Sequence, residues 1–431
     1  MKYYSLHHQA PESSFKEAVI RGLAPDRGLY FPKQIPKLPA TFFEGLPSMA
    51  ASEMAFEMIQ PFVGNEIPEA TLKTIVEETL SFDFPLVQIT SSIAALELFH
   101  GPTMAFKDVG ARFMARCLGY FNKGNKDSVT VLVATSGDTG GAVADGFYKV
   151  SGVEVVILYP KGKVSDLQEK QLTTLGENVT AIEVEGTFDD CQKMVKEAFL
   201  DSDFDGKLKL TSANSINVAR WLPQMFYYVI AYSKLMQEQE LPLVFSVPSG
   251  NYGNICAGMM AQQMGLPIQH FVAGTNSNAI VPQYLETGKY HPMPSKATIS
   301  NAMDVGDPSN FIRIQELFQQ DFETVKAHLS GYAFSDTATQ QAIQYLYEHH
   351  DYIADPHGAV GYLALKEYLK SHPNHYGVFL ETAHPVKFLD VFSEEIKSAI
   401  ILPNGVSELL KKEKKAEQFS TYDQLKQFLL A

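Results

Sequence analysis

Two segments of this chain are built from the same parts in the same order, and that order restricts the fold more than any other feature. Val129-Thr130-Val131-Leu132-Val133-Ala134 is a β-branched apolar run that enters the small polar loop Thr135 to Gly141 and then the helical pattern Ala142 to Phe147. Leu243-Val244-Phe245-Ser246-Val247 enters Pro248 to Asn254 and then Ile255 to Met260 in the same way. An unbroken apolar run suits a strand covered on both faces, and strand–loop–helix units joined by crossovers predict a parallel sheet. Further runs at Val153 to Tyr159, Val179 to Glu183, Ile268 to Ala273 and Gly377 to Leu380, with a helix over Cys191 to Phe199, extend the alternation in two sets. At 431 residues the chain is long enough for at least two cores,. The expectation is an α/β protein of two lobes with a ligand between them.

Each loop of Gly, Ser, Thr and Asn that feeds a helix start offers backbone N–H groups and small hydroxyls to an oxyanion. A third element adds a nucleophile. In His100-Gly101-Pro102-Thr103-Met104-Ala105-Phe106-Lys107-Asp108, irregular backbone gives way to an amphipathic helix carrying Val109, Phe113, Met114, Cys117 and Leu118,. Lys107 then falls in or near the first helical turn, where the helix dipole and the apolar neighbours Met104, Ala105 and Phe106 disfavour an ammonium. A neutral amine attacks carbonyl carbon; an ammonium does not. Two anion loops and one such lysine predict a ligand with two anionic ends and an electrophilic middle.

Several other functions are excluded. No strand is followed by G-x-G-x-x-G, no G-x-x-x-x-G-K-[ST] occurs, and no G-x-S-x-G provides a nucleophile elbow,. A formal charge of −14 argues against nucleic acid and anionic membrane surfaces,. The histidine clusters His7-His8, His349-His350 and His372 to His375 lack zinc-site spacing, so no metal is expected,. Cys117, Cys191 and Cys256 lie in helical patterns and read as buried thiols of a reducing compartment,. MKYYSLHH has no apolar signal core and no run is long enough to span a bilayer, so the expected location is the cytoplasm,.

Five motifs in order along the chain resemble the threonine synthase family: HGPTMAFKDVGAR from His100 to Arg112, TSGDTG from Thr135 to Gly140, TSANSIN from Thr211 to Asn217, SGNYGN from Ser249 to Asn254 and TAHPVKF from Thr382 to Phe388. The opening Lys2 to Ser5 and the stretch Gly22 to Tyr30 are similar to the N-terminal segment of that family's long form. The resemblance implies a two-lobed fold type II (tryptophan synthase β-like) architecture built around pyridoxal 5′-phosphate (PLP). It divides the chain into an N-terminal segment over 1–95, a catalytic region over 96–390 with a smaller lobe at about 128–210, and a helical tail over 391–431.

By the same resemblance, Lys107 forms the Schiff base with PLP and shuttles the proton between substrate carbons. Gly250, Asn251, Tyr252, Gly253 and Asn254 hold the cofactor phosphate, and Thr382 faces the pyridine nitrogen. Thr135, Ser136, Gly137, Asp138 and Thr139 hold the amino-acid carboxylate, with Asp138 standing where shorter relatives have Asn. The implied reaction converts O-phospho-L-homoserine and water to L-threonine and phosphate. The alternative is a phospholyase or dehydratase giving 2-oxobutyrate; a non-catalytic binder would have no need of Lys107. An anionic substrate requires at least one cation, for which Lys161, Lys163, Arg112 and the Ser300 to Asp304 loop are candidates. Asn214 and Asn217, in the loop before an apolar helix over Val218 to Met236, read as helix caps, His357, in Asp355-Pro356-His357-Gly358, as a cap-and-turn residue, and Leu409 to Lys415 as a solvated stretch of the tail,. The expected assembly is a monomer or homodimer.

Overall fold

The computed structural model describes residues 1–125, 127–236 and 240–431. Along the chain the strands are β1 (Tyr3–Ser5), β2 (Tyr30–Pro32), β3 (Leu86–Thr90), β4 (Ile93–Glu97), β5 (Val129–Ala134), β6 (Val153–Pro160), β7 (Val179–Val184), β8 (Lys209–Thr211), β9 (Leu243–Pro248), β10 (His270–Thr275), β11 (Leu329–Ala333), β12 (Tyr376–Glu381) and β13 (Glu417–Phe419). They form two main sheets and one small antiparallel pair, β1 with β2.

The larger sheet runs β11-β10-β9-β12-β4-β3, parallel except where β3 turns back on β4. The smaller runs β13-β7-β6-β5-β8 and is parallel throughout. Every residue of β5, β9, β10 and β12 is buried, as expected of strands with helices on both faces,. The helix Pro356–Ser371 packs over β9, β10 and β12, and Gly361 lets it approach Pro248.

Three expectations need correction. A boundary at 95 cuts β4, because the apolar hairpin Leu86–Glu97 completes the large sheet rather than the N-terminal segment. The apolar run Val218 to Met236 is not one helix: Pro223, with no N–H to donate, falls in a 3-10 turn over Leu222–Gln224 between the helices Val218–Trp221 and Met225–Leu235,. The tail is not purely helical either, since β13 adds the edge strand to the small sheet beside β7. Lys414, in the stretch expected to be solvated, bonds Glu169 at 2.8 Å and the buried Glu183.

Candidate active site

Loops leaving the C-terminal ends of β4, β5, β9 and β12 meet at one place, the usual position for a ligand in a parallel sheet protein,. Two of them are stitched together by backbone: the Phe106 amide donates to Thr382 O at 2.9 Å and the His384 amide to Met104 O at 3.1 Å. Lys107 is the first residue of the helix Lys107–Asn122. Its turn is fixed by buried Arg220, whose Nη1 donates to Lys107 O at 2.8 Å and whose Nε donates to Ala213 O at 2.7 Å. The Tyr227 hydroxyl donates to Phe106 O.

The Lys107 side chain is 17% exposed, its Nζ 3.7 Å from Asp138 Oδ2 and 4.9 Å above the Phe106 ring. Burial pushes the amine below the ordinary lysine value although Asp138 pulls the other way,. Burial alone would raise Asp138, but Lys387 and Lys107 beside it hold the carboxyl well below the usual range. Lys387 Nζ stands 2.6 Å from Asp138 Oδ1, and Gln168 Nε2 donates to the same oxygen at 3.0 Å. Gly137 has φ 141°, and a Cβ there would lie 2.5 Å from Gln168,.

The two glycine loops differ in detail but share one property. The amides of Gly250, Asn251, Tyr252, Gly253 and Asn254 find no protein acceptor among the described residues. Neither do those of Ser136, Asp138 and Thr139, whereas Gly137 and Gly140 donate to Thr135 Oγ1 at 3.0 and 2.8 Å. Each loop is thus a nest of unpaired donors at a helix start, the electrostatic requirement for an oxyanion. The Asn254 side chain closes its own turn by donating to Pro248 O at 2.9 Å, and Asn251 Oδ1 accepts from Ser309 Oγ at 2.9 Å. Tyr252 takes φ 61°, and its buried hydroxyl has no partner among the described residues. The Thr382 hydroxyl, in a residue 5% exposed, also makes no hydrogen bond among the described residues.

Beneath Thr382, Asp355 caps the helix Pro356–Ser371: its Oδ1 accepts from His357 N–H at 2.7 Å and meets His357 Nδ1 at 2.5 Å, while Oδ2 accepts from Ala383 N–H at 3.3 Å. The cap is therefore Asp355, and His357 is its partner. Burial, with Asp355 adjacent, pushes the Glu381 carboxyl well above the ordinary value.

Of the cations expected for the substrate phosphate, none stands beside Lys107. Arg112 lies five residues on, roughly 140° around the helix, and spends its guanidinium on Glu78 O at 2.8 Å, Ser81 Oγ at 3.1 Å and Asp145 at 3.8 Å. Lys161 pairs with Glu185, and Lys163 is exposed in the turn after β6. The cations that do gather here are Arg220 and Lys387, both missed because each looked like an ordinary surface charge. Their signal was position: Arg220 interrupts an apolar run just past TSANSIN, and Lys387 sits inside TAHPVKF. Asn217 caps its helix by accepting from Ala219 N–H at 3.0 Å, but Asn214 Oδ1 is buried without a partner among the described residues.

A family model for pyridoxal-phosphate dependent enzymes matches residues 86–378, and models for the threonine synthase N terminus and C-terminal region match 2–80 and 358–429. Threonine synthase of Buchnera aphidicola subsp. Baizongia pistaciae is 43% identical with 100% of both chains covered, and that of Escherichia coli K12 is 43% identical over 95% of this chain and 94% of that one. The chain belongs to the threonine synthase family. The crystal structure of threonine synthase from Escherichia coli superposes with a TM-score of 0.91 at 41% identity, covering 100% of this chain and 99% of that one. A PLP-bound threonine synthase from Brucella melitensis gives 0.91 at 34% identity over 100% and 99%. The fold type II architecture and the dependence on PLP follow from this membership.

The residues present fit PLP on their own chemistry. A buried amine suits its aldehyde, a five-amide nest suits its phosphate, and an unbonded threonine hydroxyl suits a ring nitrogen,. Among the described residues no helix is long and apolar enough to cross a membrane.

Proposed function

We propose that this site converts O-phospho-L-homoserine and water to L-threonine and phosphate, the last step of threonine biosynthesis, as a lyase acting on phosphate. One observation carries the reading: a largely buried amine, Lys107, stands beside Asp138 in one nest of unpaired amides, and the second nest leaves the C-terminal end of β9 in the same sheet as β4 and β12. When bound, PLP supplies an electron sink for a carbanion next to the substrate's amino carbon. Everything else falls to the chain.

Lys107 would hold the cofactor, and its amine is the base that takes and returns a proton at the substrate carbons. The amides of Gly250 to Asn254 hold the cofactor phosphate, and Thr382 Oγ1 faces the ring nitrogen without supplying a charge. The amides of Ser136, Asp138 and Thr139 take the substrate carboxylate, with Thr135 shaping that loop through its two amide contacts. Arg220, whose Nη2 has no protein partner among the described residues, and Asn214 are the groups best placed for the substrate phosphate, in preference to Arg112 and Lys163. The enzyme works in the cytoplasm as a monomer or homodimer, without nucleic acid.

The test is product analysis after incubation with PLP and O-phospho-L-homoserine. Threonine with equimolar phosphate is expected. Phosphate with 2-oxobutyrate would replace the synthase by a phospholyase, and no turnover would reject the substrate.

A further inference from the structure

Asp138 faces two lysines at unequal range. Lys387 Nζ is 2.6 Å from Oδ1, Lys107 Nζ is 3.7 Å from Oδ2, and the Lys387 side chain is 0% exposed. Lys387 is anchored as well as paired, because its Nζ also donates to Thr103 O at 2.8 Å, the carbonyl that accepts Gln171 Nε2 at 3.0 Å. Thr103 in turn is pinned by its amide, 2.9 Å from Asp108 Oδ2, and by its hydroxyl on the same carboxylate. The ammonium of Lys387 therefore has one place to be.

A buried carboxylate beside a single lysine would hold it as an ammonium, and an ammonium cannot attack a carbonyl. Around Lys107 the charges are Asp138 and Asp355, which favour the ammonium, and Lys387 and Arg220, which oppose it. With Lys387 the nearer partner, the charge of Asp138 is already met, and burial decides the state of Lys107. A neutral Asn at 138 would make no such demand; an Asp requires a cation that is not the nucleophile.

We propose that Lys387 is a positioning residue of this site, closing the charge of Asp138 so that the carboxylate orients Lys107 without claiming it as a permanent ion-pair partner. The inference rests on the reading of Lys107 as the cofactor-bearing amine.

The test is the pH dependence of the rate at which the full chain, freed of cofactor, captures added PLP, followed by absorbance. Lys387→Met is expected to move the midpoint of capture upward, slowing it about tenfold at neutral pH. Asp138→Asn is expected to move the midpoint downward, and the double variant to return within about threefold of the parent rate. A purely structural role would shift both single variants the same way, and that result, or an unmoved midpoint in Lys387→Met, overturns the proposal. If Lys387→Met does not fold, the downward shift of Asp138→Asn is decisive by itself: its absence rejects the idea. Lys107→Ala separates the two readings, because capture that survives this change removes Lys107 from the cofactor and leaves nothing for Lys387 to serve.

Discussion

The amide of Phe106 donates to the carbonyl of Thr382 at 2.9 Å, across 276 positions of sequence, and Ala105 bridges Ala383 beside it. The residue that precedes Lys107 and the residue that opens the TAHPVKF loop are therefore tied together by backbone.

Thr382→Asp places a carboxylate where a buried neutral hydroxyl now stands. If Thr382 faces the ring nitrogen, the new charge favours its protonation, and the absorbance bands of the holoenzyme should shift with a fall in kcat. Overlapping spectra of variant and parent would remove Thr382 from that contact.

Arg220→Met strips the carbonyls of Lys107 and Ala213 of their charged donor. A loss of about 2–4 kcal/mol in urea unfolding is expected, with weaker substrate binding. Arg220→Lys should recover only part, since an ammonium cannot reach both carbonyls with a fixed fork. A change below about 0.5 kcal/mol would show that the fork is dispensable.

Gly250→Ala would put a methyl 2.8 Å from Met303 Cα and 2.9 Å from Ala302 O. Both neighbours are backbone, so the loop must move and its nest with it. PLP affinity should fall about tenfold or more with a stability loss of about 1–3 kcal/mol, measured by cofactor titration and thermal unfolding. Unchanged affinity would mean the phosphate sits elsewhere.

His270 and His384 are pushed down to about 4 by burial, His270 while stacked on Tyr368. Their folded values lie below the unfolded one, so the unfolded chain binds more protons between about 6.5 and 4. Stability is complete above that window and is lost as pH falls through it, on the order of 2–3 kcal/mol per histidine at the bottom. Asp108 and Asp304, pushed up to about 6 by burial, act in the opposite sense. The difference between parent and His270→Gln in Tm against pH isolates the histidine, and parallel curves would refute the assignment.

Lys414→Met leaves Glu183, 3% exposed, without its cation. Because Lys414 keeps a third of its side chain in water, the expected cost is modest, about 1–2 kcal/mol in thermal unfolding,. Glu183→Gln in the same background should restore most of it; failure to do so would assign the loss to β13 packing.

The strands and both nests could be read from sequence because β-branched runs ending in Gly/Ser loops have few alternatives. Lys107 could be read for the same reason, its helix start being marked by Gly101, Pro102 and the apolar residues behind it. Strand β13 could not: three residues of Glu, Gln and Phe carry no strand signal, and pairing with β7 alone makes them one. Arg220 and Lys387 were hidden by the rule that charges stay in water, which fails where a buried carboxylate or carbonyl asks for them. Arg112 misled because spacing along a helix says how far a residue is, not which way it faces.

The placement of β13 also bears on how the molecule is made. The small sheet begins at Val129 but gains its last strand only from Glu417–Phe419. On the ribosome, the edge of β7 must wait, open, while more than 200 residues of the other lobe are synthesised. That interval is when an unpaired parallel strand can capture a neighbour's chain. Until Lys414 arrives with the tail, Glu183 lacks its lysine, and an uncompensated carboxylate at the open edge of β7 opposes that capture in the nascent protein,.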